Sequence, residues 1–278
     1  MNGWVLPDRD VPAVTPASLT ASDVSFHVSD GLLRYPDVIM MRLWRYLDSG
    51  PAAGPANMAV DEGLLAEASR GPAAPVLRFY TWDPPAVSLG RFQSEDRSCF
   101  REECARRGID IVRRVTGGRA VLHYRELTYS IIARVDDPLF PNDILGTYKV
   151  ISKGLLAGLR RIGVPAEMVS RSGRHAEKVR PLAKDPACFS SPSWFELVAR
   201  GRKIAGSAQR RVSGAFLQQG SVLIDYDPDL EAAVIPGGGQ AGVITCIREE
   251  LGRAVSVDEV KRALLGGFAE AFGIAFDA

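Results

Sequence analysis

Three strand-like runs separated by very short breaks constrain the architecture of this chain more than any other feature. Residues 109–115, 119–124 and 127–135 are rich in branched and aromatic side chains and are interrupted at Gly117-Gly118 and Arg125-Glu126. Breaks of this length cannot hold the dozen or more residues of a parallel crossover, so the spacing predicts antiparallel neighbours. Runs at 76–82 and 86–92 flank Asp83-Pro84-Pro85, whose prolines enforce a break. A hairpin is expected from 194–199 and 202–208 around Arg200-Gly201, followed by a strand at 215–225.

Helical signals lie between these runs. Asn57 is suited to cap a helix that carries Met58, Leu64, Leu65 and Ala68 to about Ser69, before Gly71. A charged helix is expected over 96–107. Tyr148, Ile151, Leu155 and Leu159 predict an amphipathic helix over 144–162. Ser256 and Glu259 form a capping-box pattern ahead of Val260, Leu264, Phe268 and Phe272, with Gly273 as the stop. The expected class is α+β, a mixed and substantially antiparallel sheet flanked by helices.

At 278 residues the chain can bury a large core as one domain, or one domain with an appendage, and no internal repeat is visible. A formal charge of +1 argues against a protein that coats nucleic acid. Cysteines 99, 104, 188 and 246 make no CxxC pair and have no matching histidine cluster, so they read as reduced thiols and no metal or other cofactor is expected. No run approaches the roughly 20 apolar residues of a membrane span, and no secretory signal precedes the patterned sequence, which points to the cytoplasm. Residues 1–40 lack a convincing period and are expected to be a leader, disordered or an overcalled start given Met40 and Met41, with the folded domain over 41–278.

Cys188 and Lys203 carry the chemical signal. Cys188 precedes the expected hairpin, and its returning strand brings Lys203 and Gly206-Ser207-Ala208 back toward it. A thiol attacks well only as thiolate, and a nearby ammonium favours that anion. Packed cysteine and solvated lysine are the plain alternatives for each residue alone. Gly117-Gly118 fits either a tight turn or close backbone approach to a ligand carbonyl. His123 fits either a packed ring or a proton-exchanging pocket residue.

The ordered set of motifs from Leu43 onward resembles the octanoyltransferase branch of the biotin and lipoate protein ligase family. The residues that carry it are Trp44-Arg45-Tyr46-Leu47-Asp48, Asn57-Met58-Ala59-Val60-Asp61-Glu62, Leu77-Arg78-Phe79-Tyr80-Thr81-Trp82, Ser88-Leu89-Gly90-Arg91-Phe92-Gln93 and the two glycine segments. The resemblance implies the fold of that catalytic domain, with Cys188 as the acyl-accepting cysteine and Lys203 as its activating lysine. It also implies an acyl pocket bounded by Arg114, Thr116, Gly117, Gly118, Arg119, Ala120, Val121 and His123 on one side and Gly206, Ser207 and Ala208 on the other. Tyr124-Arg125 departs from the more acidic sequence expected after the histidine.

The resemblance further implies an octanoyl-acyl-carrier-protein donor, and a lysine acceptor on lipoyl domains of glycine cleavage H protein or 2-oxoacid dehydrogenase subunits. Cys188 would hold the octanoyl group as a thioester before the acceptor lysine takes it as an amide, without ATP. Arg171, Arg174, Lys178, Arg180 and Lys184 would steer an acidic carrier, or form a solvated loop. The rival readings are an ATP-dependent lipoate ligase, weakened by the lack of room after the final helix for a further domain, an amidotransferase between lipoyl domains, and a non-catalytic acyl- or carrier-binding module.

Overall fold

The computed structural model describes residues 28–29, 32–35, 38–97, 99–169 and 195–277. In chain order its elements are β1 (Val28–Ser29), β2 (Leu32–Tyr35), β3 (Val38–Ala52), α1 (Gly54–Arg70), β4 (Val76–Trp82), β5 (Ala86–Leu89), α2 (Arg101–Arg106), β6 (Asp110–Arg113), β7 (Val121–His123) and β8 (Glu126–Arg134). They continue with α3 (Ile144–Arg161), β9 (Ala166–Met168), β10 (Leu197–Ala199), β11 (Arg202–Val212), β12 (Ala215–Leu223), α4 (Pro228–Val234), α5 (Ile247–Leu251), α6 (Val257–Phe272) and β13 (Ile274–Phe276). The large sheet runs β1-β2-β3-β4-β8-β12-β11-β10-β9, with β13 alongside β3, and a small sheet runs β6-β5-β7.

Strand alternation sets the layers of the large sheet. Leu127, Tyr129, Ile131 and Ala133 of β8 join the main core with Leu155 and Leu159 of α3 and Leu264 and Phe268 of α6. Ile132 turns the other way and packs with Leu65 and Ala68 of α1. Both faces of β8 and β12 are thereby covered, which explains why every residue of β12 is buried. Under the sheet, α3 and α6 meet through glycines: a Cβ on Gly267 would lie 2.2 Å from the Gly158 nitrogen. The expected α+β architecture is present, and the sheet is mainly antiparallel.

Several local expectations are corrected. The break expected at Asp83-Pro84-Pro85 is present, and the runs either side of it enter different sheets, β4 the large one and β5 the small one. Likewise β6, β7 and β8 are not successive antiparallel neighbours: β5 inserts between β6 and β7, parallel to the first and antiparallel to the second, while β8 joins the large sheet. Arg125, at φ 52°, makes the turn that carries the chain from one sheet to the other. The strand expected over 119–124 shortens to β7, and the run from 86 stops at Leu89.

The long helix expected over 96–107 divides into one 3-10 turn at Glu95–Arg97 and the short α2. Phe100 donates its backbone N–H to Val234 O across the break, and both Cys99 and Cys104 reach the small-sheet core. The first helix begins at Gly54, ahead of Asn57. Asn57 is wholly buried and does not cap; its amide donates to Ala52 O and Thr81 O. α3 and α6 match the expected spans, with Asp143 and Ser256 accepting from Gly146 N and Glu259 N.

Two of the motifs that carry the resemblance build scaffold. Arg78 pairs with Asp61 at 2.7 Å, both side chains 1% exposed, and also donates to Asn57 and Ser49. Tyr80 and Ser130 hydroxyls complete the Asp61 carboxylate. A buried ion pair is tolerable when its remaining donors and acceptors are so satisfied, and this one ties α1 to β4 and β8.

Candidate active site

Two adjoining clefts meet at Ser207 and Ala208 of β11. The first, of about 300 Å³, lies between the sheets, with Ser88, Arg114, Val121 and His123 facing Thr128 and Gln219. The second, of about 590 Å³, is bounded by Gly117, Gly118, Arg119, Tyr148, Glu196 and Gln209. β10 covers β11 only from Arg202 to Ala205, so beyond that point the outer edge of β11 borders the second cleft. Gly206 also lines the first cleft.

Arg114 fixes the glycine loop. Its guanidinium makes five hydrogen bonds, to Gly117 O through Nε and Nη2, to Arg119 O, and to the carbonyl and hydroxyl of Ser88. A planar fork that feeds several carbonyls in this way holds a loop in one shape. Gly118 adopts φ 91°, and a Cβ on Gly90 would lie 2.0 Å from Gly118 O, so Gly90 and the loop must be backed onto each other without side chains.

His123 is buried and stacked on Trp82, with ring centroids 4.0 Å apart. Its Nε2 lies 2.7 Å from Ser88 Oγ and its Nδ1 lies 3.1 Å from Glu126 Oε1. The Glu126 carboxylate accepts, so Nδ1 carries the ring proton and Nε2 accepts from the Ser88 hydroxyl, whose oxygen also accepts from Arg114. Burial lowers the His123 pKa against the opposing pull of Glu126, leaving a neutral ring. Of the Tyr124-Arg125 pair that follows His123, Arg125 pairs with Asp225 and lies over the Tyr124 ring.

Lys203 is 1% exposed, and its ammonium lies 2.9 Å from the Glu196 carboxylate. The reading of this hairpin as the rim of the sheet, which would leave Lys203 at an edge, is not what the structure has. Instead β10 lies on one side, and on the other its backbone bonds to Val243 O and Thr245 N in a parallel bridge with Ile244. Glu196, the partner of Lys203, lines the second cleft.

Thr116 and Ala120 line neither cleft: Thr116 is buried and donates to Gln219 Oε1, and Ala120 packs into the small-sheet core. Cys188 lies outside the described residues, as do Arg171, Arg174, Lys178, Arg180 and Lys184. The other three cysteines are buried thiols, and burial raises the pKa of each, that of Cys104 to about 11. Among the described residues no group of three or more His, Cys, Asp or Glu side chains is placed to hold a metal, and no helix is long and apolar enough to cross a membrane.

Residues 54–269 match the lipoyl protein ligase A/B catalytic domain. The chain belongs to this family. It is 44% identical to octanoyltransferase LipM of Brevibacillus brevis over 79% of this chain and 80% of the relative. It is 41% identical to octanoyltransferase LipM of Kyrpidia tusciae over 84% and 88%. Among solved structures it is similar to lipoate-protein ligase A bound with ATP, at 26% identity and TM-score 0.69 over 84% of this chain and 87% of that one. A T. acidophilum protein solved with bound lipoic acid matches at the same identity and TM-score over 84% and 88%.

Within this lipoyl protein ligase A/B domain, sequence reasoning missed Glu196, Ser88, Gln219 and Tyr148 as cleft residues. Glu196 alone carried a signal, as an acid at the start of a strand expected to pair with the one bearing Lys203. The others come from elements distant along the chain, and no local pattern marks them.

Proposed function

We infer that this chain is an octanoyltransferase of protein lipoylation. The observation that carries this is the run of curated relatives named octanoyltransferase LipM, 36–44% identical across most of the chain. The solved lipoate ligases share the fold at lower identity, which favours ATP-dependent ligation less. The donor proposed is octanoyl-acyl-carrier protein and the acceptor a lysine of a lipoyl domain, in the cytoplasm. The structural study of an archaeal lipoylation system from Thermoplasma acidophilum, a protein of similar fold, covers a bipartite lipoate protein ligase and its E2 lipoyl domain, in keeping with that class of acceptor.

In this reading Cys188 thiolate attacks the octanoyl thioester carbonyl, and collapse of the tetrahedral adduct breaks the bond to the carrier's pantetheine sulfur, which leaves as thiolate and takes up a proton. The neutral acceptor amine then attacks the Cys188 thioester, forming an amide, releasing Cys188 thiolate and losing one proton to solvent. Cys188 is favoured for this role because burial disfavours the thiolate at Cys99, Cys104 and Cys246. Lys203, paired with the Glu196 carboxylate that lines the second cleft, is the residue proposed to favour the Cys188 thiolate.

The test mixes the purified chain with octanoyl-carrier protein and a lipoyl domain without ATP and follows acyl mass on enzyme and acceptor. Transfer with a transient octanoyl adduct on Cys188 is expected, and Cys188→Ser removes the thioester adduct. Dependence on free octanoate and ATP indicates a ligase, a preference for octanoylated lipoyl domain as donor indicates an amidotransferase, and undiminished turnover by Cys188→Ser rejects the covalent step.

A further inference from the structure

A row of polar side chains runs along one face of the large sheet and ends at the junction of the two clefts. Ser207, Gln209 and Arg211 alternate along β11 and share a face, opposite Gly220, Gln218 and Phe216 of β12, with Gly220 in turn opposite Tyr129 of β8. Arg211 Nε donates to Gln209 Oε1 at 3.2 Å, Gln209 Nε2 to Gln218 Oε1 at 3.1 Å, and Gln218 Nε2 to the Tyr129 phenol oxygen at 3.0 Å. The phenol oxygen lies 2.7 Å from Ser207 Oγ.

Only one direction of donation satisfies this row. A guanidinium cannot accept, so Gln209 must turn its carbonyl oxygen to Arg211 and its NH₂ to Gln218. The same constraint turns the Gln218 NH₂ to Tyr129; flipping either amide sets like groups against each other. The Tyr129 oxygen accepts from Gln218, and its own proton has no acceptor but Ser207 Oγ among the described residues. Burial pushes the Tyr129 pKa up to about 12, so that proton is present at neutral pH. Ser207 therefore accepts within the row, and its hydroxyl proton is left for an acceptor outside it.

Ser207 is half-buried and lines both clefts. Gly220 keeps the space beside it open, since a Cβ there would lie 2.6 Å from Ser207 Oγ and 2.7 Å from a Tyr129 ring carbon. We propose that Ser207 donates its hydroxyl proton in a hydrogen bond to the carbonyl oxygen of the acyl thioester, and that Tyr129, Gln218, Gln209 and Arg211 are positioning residues that fix the direction of this donation. The inference rests on the thioester chemistry proposed above. A donor fixed before reaction strengthens its bond as charge grows on that oxygen, without reorganisation.

The test measures kcat and KM for octanoyl transfer by the full chain, with folding checked by thermal melting. Ser207→Ala is expected to lower kcat about 100-fold with KM nearly unchanged. Gln218→Glu keeps Ser207 but replaces a donor by an acceptor, which draws the Tyr129 proton to the carboxylate and the Ser207 proton back to Tyr129. It should lose about as much as Ser207→Ala, and the double variant should be no worse than either. A folded Ser207→Ala with kcat within about twofold of wild type, a fully active Gln218→Glu, or losses that multiply would overturn the donor role while leaving the octanoyltransferase reading intact. Should wild type transfer nothing, that reading fails, and the infrared carbonyl band of bound ¹³C-octanoyl-pantetheine decides the donor. A lower frequency on wild type than on Ser207→Ala supports it; equal bands, or no binding, overturn it.

Discussion

Lys203 and Glu196 form an ion pair at 2.9 Å whose two side chains are almost wholly withdrawn from water. Such a pair is costly to break from one side, because the survivor is left charged in a poorly solvated place. Glu196→Ala is therefore expected to destabilise the protein by about 3 kcal/mol. Lys203→Met should cost less in the Glu196→Gln background than in wild type, which urea denaturation of the four proteins measures. Additive losses would show that the two residues do not act as a pair.

Gly90 and Gly117 make a matched comparison. A Cβ at Gly90 meets the Gly118 carbonyl at 2.0 Å, and a backbone atom cannot swing away, whereas a Cβ at Gly117 meets nothing within 4 Å. Gly90→Ala should cost about 1–3 kcal/mol and lower transfer by displacing the loop, while Gly117→Ala should change stability by less than about 1 kcal/mol. Thermal melts of both variants check this, and equal melting temperatures would refute it.

Burial of His123 makes stability depend on pH. Its folded pKa is lowered from the ordinary 6.5, chiefly by desolvation and against the pull of Glu126, with Arg114 also lowering it. The unfolded chain thus binds this proton more readily. The contribution is fully present above about pH 6.5 and is lost as pH falls through that value toward the folded pKa, by at most about 1.4 kcal/mol per pH unit. Urea unfolding at pH 7.5 and 5.5 should show a smaller difference for His123→Gln than for wild type; equal differences would count against it.

Arg114→Lys keeps the charge but replaces the five-donor fork that spans Ser88, Gly117 and Arg119. An ammonium has three donors and a rotating stem, so the loop should loosen and kcat/KM fall about 10-fold. Unchanged kinetics would mean that the loop holds its shape without the fork.

The sequence was informative about chemistry where the relevant residues are close along the chain. Lys203 with Gly206-Ser207-Ala208, and Arg114 with the Gly117-Gly118 loop, lie on single continuous segments that border the same clefts. It misleads where short breaks suggest neighbouring strands. The distance between two runs limits how far the chain can travel, but not whether a third strand such as β5 slips between them. Asn57 shows the same limit: its type and position suit a cap, yet burial beside Arg78 gives it a different set of partners.

Alternation and turn residues determined by themselves that this chain builds strands and amphipathic helices in an α+β arrangement, because those signals depend on backbone geometry over a few residues. Tertiary structure alone decided that Lys203 is buried against Glu196, that Ser88 and Glu126 fix the His123 proton, and that four residues from three strands form a hydrogen-bonded row ending at the Ser207 hydroxyl. These outcomes depend on cross-strand register and burial, which arise only when distant segments exclude water together.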